Sequence, residues 1–319
     1  MEKRLYDYEL DDNLEIYVMI ESCDVRIAKN GKKFLALTFQ DKSGKMDGKF
    51  WDAGEKDIEM FRPGIVVAVK GKRELYQGNP QLKIFNMHPS NDPAHQNLDK
   101  FVETAPENIE DLKEEFNQII FQITNPTMNR VVRYLLNKYQ EEFFIGPAAK
   151  KLHHAYRGGL AYHTVSILRL AQVVVNQYQD VDVSLLYSGA IIHDLGKVRE
   201  LTGPINTEYT LEGNLVGHIV IADEEISKAC QALKIDENKE DILLLKHMIL
   251  SHHGLLEYGS PVRPRILEAE ILHQLDHLDA SITQVSDALS RTQAGEFSER
   301  LFGMDNRSFY KPNHPRQKP

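Results

Sequence analysis

The chain has 319 residues, 42% of them hydrophobic, and a formal net charge of −9 at pH 7; this length outgrows one core and predicts two or more globular domains. No apolar run approaches the roughly 20 residues of a membrane span, and the opening MEKRLYDYELDD has no apolar stretch of the secretory kind, so a cytoplasmic protein without a membrane partner is expected. Cys23 and Cys230 are too few and too far apart for a disulfide scaffold or a cysteine metal site, which leaves any metal to histidine and carboxylate.

Charge is unevenly spread. Between Asp24 and Lys83, 13 Lys and Arg stand against 8 Asp and Glu, a net +5 that leaves −14 for the remainder. A locally basic segment suits a phosphate backbone. Within it, FLALTF (34–39) and IVVAV (65–69) predict strands, DKSGK (41–45) a turn, and YQGNPQ (76–81) a hairpin tip before LKIFNM. Short strands punctuated by glycine turns predict a small closed barrel over residues 1–90. The order FLALTFQDKSGKMDGKFW, then FRPGIVVAVKGKRELYQGNPQLKI, resembles an OB-fold of the nucleic-acid-binding, anticodon-binding type, which implies a strand face and loops that hold single strands. Phe50 and Trp51 are adjacent in a strand and must point to opposite faces, one into the core and one outward for stacking. Taken singly, Phe39, Trp51, Tyr76 and Phe85 are each expected in the core. The candidate nucleic-acid contacts are Trp51 and Tyr76 for bases and Lys32, Lys33, Lys70, Lys72 and Arg73 for phosphates.

The polar stretch that follows, PSNDPAHQNLDKFVE, reads as an interdomain linker, assigned to residues 91–103. From Thr104 the period changes. Thr104 and Glu107 match a capping box, and Ile109, Leu112, Phe116, Ile119 and Ile123 recur at spacings of three and four, as on a helix with one buried face. Asn125-Pro126 ends that helix and starts another. Helical patterning continues nearly to the end, which predicts an all-α domain over residues 104–303 and a polar, proline-containing tail over 304–319.

Ten of the 13 histidines fall between His153 and His277. Among them are His163 in GGLAYHT, His193-Asp194 in GAIIHDLGK, His218 in GNLVGH and His252-His253 in LSHHG, followed by Asp276 and Asp279 in LHQLDHLDA. A lone histidine on an apolar face is more often a core residue than a ligand. Several joined by carboxylates reverse that balance, because clustered imidazoles without a cation would each need a buried partner. A mixed imidazole and carboxylate shell suits Mn, Fe, Zn, Co or Ni better than Mg or Ca. Neighbouring helical residues diverge by about 100°, so His193 and Asp194 can address one bimetallic centre only at a helix end, where Gly196 is expected to loosen the backbone. Asp194 could then bridge two ions, which together activate water and clamp phosphoryl oxygens. Lys197 is placed either to neutralise phosphate charge or to serve as a helix-terminal charge.

This series resembles the HD superfamily of metal-dependent phosphohydrolases over about residues 150–290. The resemblance implies a first metal on His163, His193, Asp194 and Asp276, and a second on His218, His252 and His253 with Asp194 bridging. Asp279 then stands behind Asp276, and His273 and His277 are solvated or supporting. His153 and His154 are expected at the entrance, and Arg157 joins Asp194 and Lys197 as a candidate catalytic residue that contacts phosphate. The pairing of the two domains, with the ending GEFSERLFGMDNRSFYKP, is similar over nearly the whole chain to the YhaM family of bacterial 3′-to-5′ exoribonucleases. That likeness implies removal of nucleotides from the 3′ end of single-stranded RNA, Mn²⁺ as favoured ion, and some action on single-stranded DNA. The alternatives are an HD-type nucleotide or cyclic-nucleotide phosphohydrolase, and a single-strand-binding module with an inert HD site. Long exposed helices add an expectation of homo-oligomers.

Overall fold

In the computed structural model, which describes residues 3–150 and 154–314, alternating apolar and polar side chains close the amino-terminal segment into a five-stranded barrel. Strands β1 (Asn13–Ile27), β2 (Lys33–Asp41), β3 (Gly44–Phe50), β4 (Val66–Tyr76) and β5 (Asn79–Pro89) follow the order β1-β2-β3-β5-β4 around it. Every pair is antiparallel except β3 with β5. This is the connectivity expected of an OB-fold. A short helix, α1 (Glu55–Met60), joins β3 to β4. The β4–β5 hairpin turns on Gln77 and Gly78, both at positive φ (51° and 84°), the geometry that matches the right-handed twist of its strands. Leu14, Ile16 and Val18 of β1 alternate inward to meet Leu35, Leu37 and Phe39 of β2 and Val67 and Val69 of β4.

The stretch read as a linker is instead structured. Asp92 and Asn97 cap two 3-10 turns, Pro93–Gln96 and Leu98–Lys100, and Phe101 and Val102 are buried with Met19 and Val66. Pro93 begins the first of these turns, and the apolar pair Phe101 and Val102 ties the stretch to the barrel. The chain accordingly divides into one compact unit that runs to Thr104 and takes in Pro204–Thr207, and another made of Ala105–Gly203 and the residues from Glu208 onward.

The second unit is helical: α2 (Ile109–Ile120), α3 (Pro126–Lys138), α4 (Gln140–Ile145), α5 (Gly159–Gln177), α6 (Val183–Ile192), α7 (Lys197–Glu200), α8 (Leu211–Leu215), α9 (His218–Leu233), α10 (Glu240–Ser251) and α11 (Leu267–Ser290). The Thr104–Glu107 capping box does not form. Asn108 caps α2 by accepting from the Glu110 N–H at 2.9 Å, while Glu107 takes the Arg169 guanidinium in a bidentate pair at 2.7 Å. Asn125 caps α3, with Pro126 at its first position. Nine of the ten residues of α6 are buried, and α3, α5, α10 and α11 pack around it. A helix apolar on all sides belongs at the centre of a bundle, so its carboxy-terminal end delivers His193 to the interior. Beyond α11 the chain folds back on itself, with Gly295 bonded to Lys311, Ser298 to Phe309 and Leu301 to Arg307. Part of the expected tail is therefore folded, and residues 315–319 lie outside the described ones. Among the described residues no helix is long and apolar enough to cross a membrane.

Candidate metal centre and nucleic-acid face

His193 caps the end of α6, and Asp194 follows it in a tight turn before α7. His163 comes from α5, His218 from the first residue of α9, His252 and His253 from just past α10, and Asp276 from α11. Among the described residues three groups of potential ligand atoms result, the atoms of each within 4.8 Å of one another: His163, His193 and Asp276; His218, His252 and His253; and, behind the first, His154, His163 and Asp279. Asp194 stands between the first two. Its Oδ2 lies 3.4 Å from His193 Nε2 and 3.6 Å from His163 Nε2, and its Oδ1 lies 3.5 Å from His218 Nε2 and 3.9 Å from His252 Nε2. Asp276 Oδ1 is 3.2 Å from His163 Nε2.

All five histidines are held in one way. His193 Nδ1 donates to the Ala190 carbonyl at 2.8 Å, His252 Nδ1 to Ile249 at 2.7 Å and His253 Nδ1 to Tyr258 at 2.6 Å. His218 Nδ1 donates to Glu200 at 3.0 Å and His163 Nδ1 to Asp279 at 2.7 Å. Anchoring Nδ1 selects the tautomer and aims Nε2 inward, as metal-binding histidines require. The Nε2 atoms of His193, His218 and His252 and Oδ1 of Asp194 are buried with no hydrogen-bond partner among the described residues. Four converging acceptor atoms without partners cost stability unless a cation takes their lone pairs, so the residues present fit a metal.

Burial opposes the charge on Asp194, but Lys197 and His193 outweigh it and hold its pKa well below the usual carboxylate range. Asp276 is likewise held low, burial being outweighed by its hydrogen bond with His163. Burial disfavours the His163 cation, yet bonds to Asp276 and Asp279 push its pKa up to about 9. Burial, reinforced by neighbouring imidazoles, keeps His252 and His253 below the ordinary value and therefore neutral, the form that donates to a metal. Lys197 Nζ contacts Asp194 Oδ2 at 2.7 Å. A cavity of about 460 Å³ opens over the centre, lined by Asp194, Lys197, His218, His253 and Asp276 among others.

Several expectations need correction. Gly196 has ordinary helical angles (φ −58°, ψ −20°), so it does not loosen the backbone; a Cβ there would lie 2.1 Å from the His218 carbonyl oxygen, and the glycine serves close approach. His154 is buried, not at an entrance, and donates from Nε2 to Asp279 at 2.8 Å. Asp279 accepts from both His154 and His163 and from the Ser166 hydroxyl, which fixes it behind His163. Arg157 does not line the cavity; its carbonyl accepts from the Ala105 N–H. His153 lies outside the described residues. His273 and His277 do line the cavity, His273 donating to the His252 carbonyl at 3.0 Å. Glu200 was missed: it binds both the backbone N–H and Nδ1 of His218, each at 3.0 Å, and nothing in the sequence KVRE signals it.

On the barrel, Phe39 is buried as expected, but Trp51, Tyr76 and Phe85 are 56%, 48% and 57% exposed. Phe50 turns inward against Phe61, and Trp51 stacks on Phe34 with centroids 4.7 Å apart. Lys49 links the surface aromatics, its Nζ 4.2 Å from the Tyr76 ring centre and 5.8 Å from that of Trp51. Two of the basic candidates, Lys32 and Lys33, contact Asp52 and Ala53, the residues that follow Trp51. Lys32 pairs with Asp52, Lys70 with its cross-strand neighbour Glu15, and Lys72 with Asp11. Arg73 donates to the Tyr8 carbonyl and lies over the Tyr6 ring, while Lys33 is exposed at the start of β2.

The first unit matches the OB-fold nucleic acid binding domain family over residues 15–89, and the second matches the HD domain family over residues 160–281. Barrel and centre together define an HD-type, metal-dependent phosphohydrolase that carries a nucleic-acid-binding module. Whole-chain relatives narrow the class. The 3′-5′ exoribonuclease YhaM of Listeria welshimeri is 48% identical over 312 residues, 98% of this chain and 99% of that protein. The proteins of the same name from Bacillus licheniformis and Bacillus subtilis are 47% and 46% identical with the same coverage. The chain belongs to the YhaM family of 3′-5′ exoribonucleases.

Proposed function

We propose that the chain shortens single-stranded RNA from its 3′ end, one nucleotide at a time, on a pair of divalent ions, Mn²⁺ being the first choice and Fe, Co, Ni or Zn the others its donor set accepts. One observation carries the reading: the two oxygens of Asp194 face two different histidine groups, the arrangement of a bridging carboxylate. In it, His163, His193, Asp276 and Asp194 would hold one ion, and His218, His252, His253 and Asp194 the other. Divalent ions at such a site lower the pKa of water and neutralise phosphoryl oxygens.

The chain's own groups do the remainder. Glu200 and Asp279 hold the rings of His218 and His163 in register. Lys197, fixed by Asp194 on the cavity wall, offers its ammonium to the non-bridging oxygens as charge builds there. Trp51 and Tyr76, with Phe34 and Lys49 beside them, offer stacking surfaces to unpaired bases, and Lys33 a phosphate contact. The reading carries with it single-stranded DNA as a secondary substrate, the cytoplasm as location and self-association of the chain.

The deciding experiment is a time course on 5′-labelled single-stranded RNA with Mn²⁺, resolved to single nucleotides. A ladder descending from full length is expected. Intact RNA together with hydrolysis of free nucleotides would transfer the centre to a nucleotide phosphohydrolase, and strand binding with no hydrolysis of either would leave a binding module with an inert site.

A further inference from the structure

The cavity over the metal centre has a second wall that the mechanism above leaves unused. It is formed by Lys150, from the loop after α4, and Tyr209, from the loop before α8. Lys150 Nζ makes an ion pair with Glu208 and lies 6.0 Å from the centre of the Tyr209 ring. The Glu208–Tyr209 segment is pinned in place. Thr202 N–H donates to the Glu208 carbonyl at 2.9 Å, Glu208 N–H donates to the Thr202 hydroxyl at 3.0 Å, and Tyr209 bridges to Leu201.

Resting on the exoribonuclease reading, we propose that Lys150 and Tyr209 form a subsite for the 3′ end of the RNA, where Lys150 exchanges Glu208 for a backbone phosphate and Tyr209 stacks on the terminal base. Three observations carry this. First, a cavity of about 460 Å³ is of the size that holds one small ligand, about 300–1,000 Å³, so it takes a strand end and not a length of strand. Second, Lys197 is almost enclosed and committed to Asp194, whereas the Glu208 side chain is 53% exposed. An ion pair so exposed contributes little to stability and is readily exchanged. A half-exposed carboxylate on a cation that faces an anionic substrate acts as a competitor for that cation. Third, Tyr209 is 46% exposed, with a cation beside its ring, a surface that receives a base of any identity.

The test compares variants that a merely structural pair would not separate, in steady-state hydrolysis of 5′-labelled single-stranded RNA with Mn²⁺. Lys150→Ala is expected to raise KM about tenfold with kcat within about twofold, and to lower the slope of log KM against log salt by about one. Glu208→Gln should do the opposite and lower KM about threefold, because it frees the cation. Tyr209→Ala should raise KM about tenfold on RNA ending in an ordinary nucleotide and leave it unchanged on RNA ending in an abasic one, with Tyr209→Phe behaving as wild type. Shifts of the same sign in Lys150→Ala and Glu208→Gln, an unchanged KM in Glu208→Gln, or a Tyr209→Ala effect indifferent to the terminal base would overturn the subsite while the wild-type activity stands. Wild-type protein that leaves RNA intact refutes the parent reading and the subsite with it.

Discussion

Gly196→Ala gives opposite outcomes under two readings of one residue. Gly196 precedes α7 with φ −58° and ψ −20°, angles that alanine adopts with lower entropic cost, so by local propensity the substitution should stabilise by up to about 1 kcal/mol. The packing argues otherwise. A Cβ at Gly196 would lie 2.1 Å from the His218 carbonyl oxygen, 2.8 Å from its carbon and 2.9 Å from its Cα. An ordinary contact can be restored only if the start of α9 retreats by about 1 Å. His218 is held there by Glu200 through its N–H and Nδ1 and presents Nε2 3.5 Å from Asp194 Oδ1, so the retreat disturbs both. Overpacking of this kind costs about 1–3 kcal/mol, and a misplacement of about 1 Å at a reacting centre lowers rate by about 100-fold. Thermal unfolding and Mn²⁺-dependent shortening of labelled RNA measure the two effects on one preparation. An alanine variant that melts higher than wild type and retains full activity would refute the steric argument and leave only the local propensity of the helical backbone.

Asp276→Asn should abolish both retention of one ion and RNA hydrolysis, whereas Asp279→Asn, which loosens the His163 ring from behind, should weaken Mn²⁺ binding by about 10–100-fold; equal losses in a Mn²⁺ titration would contradict their separation. Trp51→Ala should weaken binding of single-stranded RNA by roughly 1–3 kcal/mol in fluorescence anisotropy and leave kcat on a dinucleotide unchanged; an unaltered affinity removes Trp51 from the interface. Glu225 sets an acid limit on stability. Burial alone would raise its pKa, but hydrogen bonds from Lys138, Lys228 and Tyr139 bring it to about 2. Its folded pKa is depressed, so its contribution is fully present above the unfolded value of about 4.5 and is lost as pH falls toward 2, at most about 3 kcal/mol and less where solvent screens the cluster. Chemical denaturation between those limits should show a steeper loss in wild type than in Glu225→Gln, and parallel curves would show that the cluster is not titrating.

Most of the barrel was legible because strand alternation and turn residues are local signals: Gln77-Gly78 announces its hairpin, and Asn125-Pro126 announces the start of α3. The ligand set was legible for another reason. Imidazole and carboxylate are the residue types metal chemistry demands, the resemblance to the HD superfamily singles out seven of them as ligand candidates, and the fold gathers these candidates around Asp194. What escaped depends on register and on space. Lys70 reads as an unpaired cation until β1 places Glu15 directly across from it. Glu200 is one more surface glutamate until α7 meets the start of α9. His154 looks like an entrance residue until Asp279 draws it inward, and the linker looks open until Phe101 and Val102 find Met19 and Val66. In each case the deciding partner is distant in sequence.

The distribution of charge gives a reason for joining the two units. A centre built from Asp194, Asp276 and Asp279, each held ionised by its neighbours, attracts divalent cations and repels the phosphate backbone it must cut. The same carboxylates cannot both concentrate metal and retain RNA. Lys197 relieves the repulsion locally, but it is bonded to one of those carboxylates and cannot hold a strand. Retention therefore falls to surfaces outside the carboxylate cluster, and the segment from Asp24 to Lys83, at net +5 within a chain of −9, has the sign for it. Lys32, Lys70 and Lys72 sit in ion pairs with carboxylates at least as exposed as that of Glu208 in its pair with Lys150, so a phosphate would exchange for them too, and Trp51 and Tyr76 would add stacking faces that need no charge. Stacking tolerates every base and weakens less with salt than ion pairing does, so under the proposed reading it would hold the strand while its end is consumed.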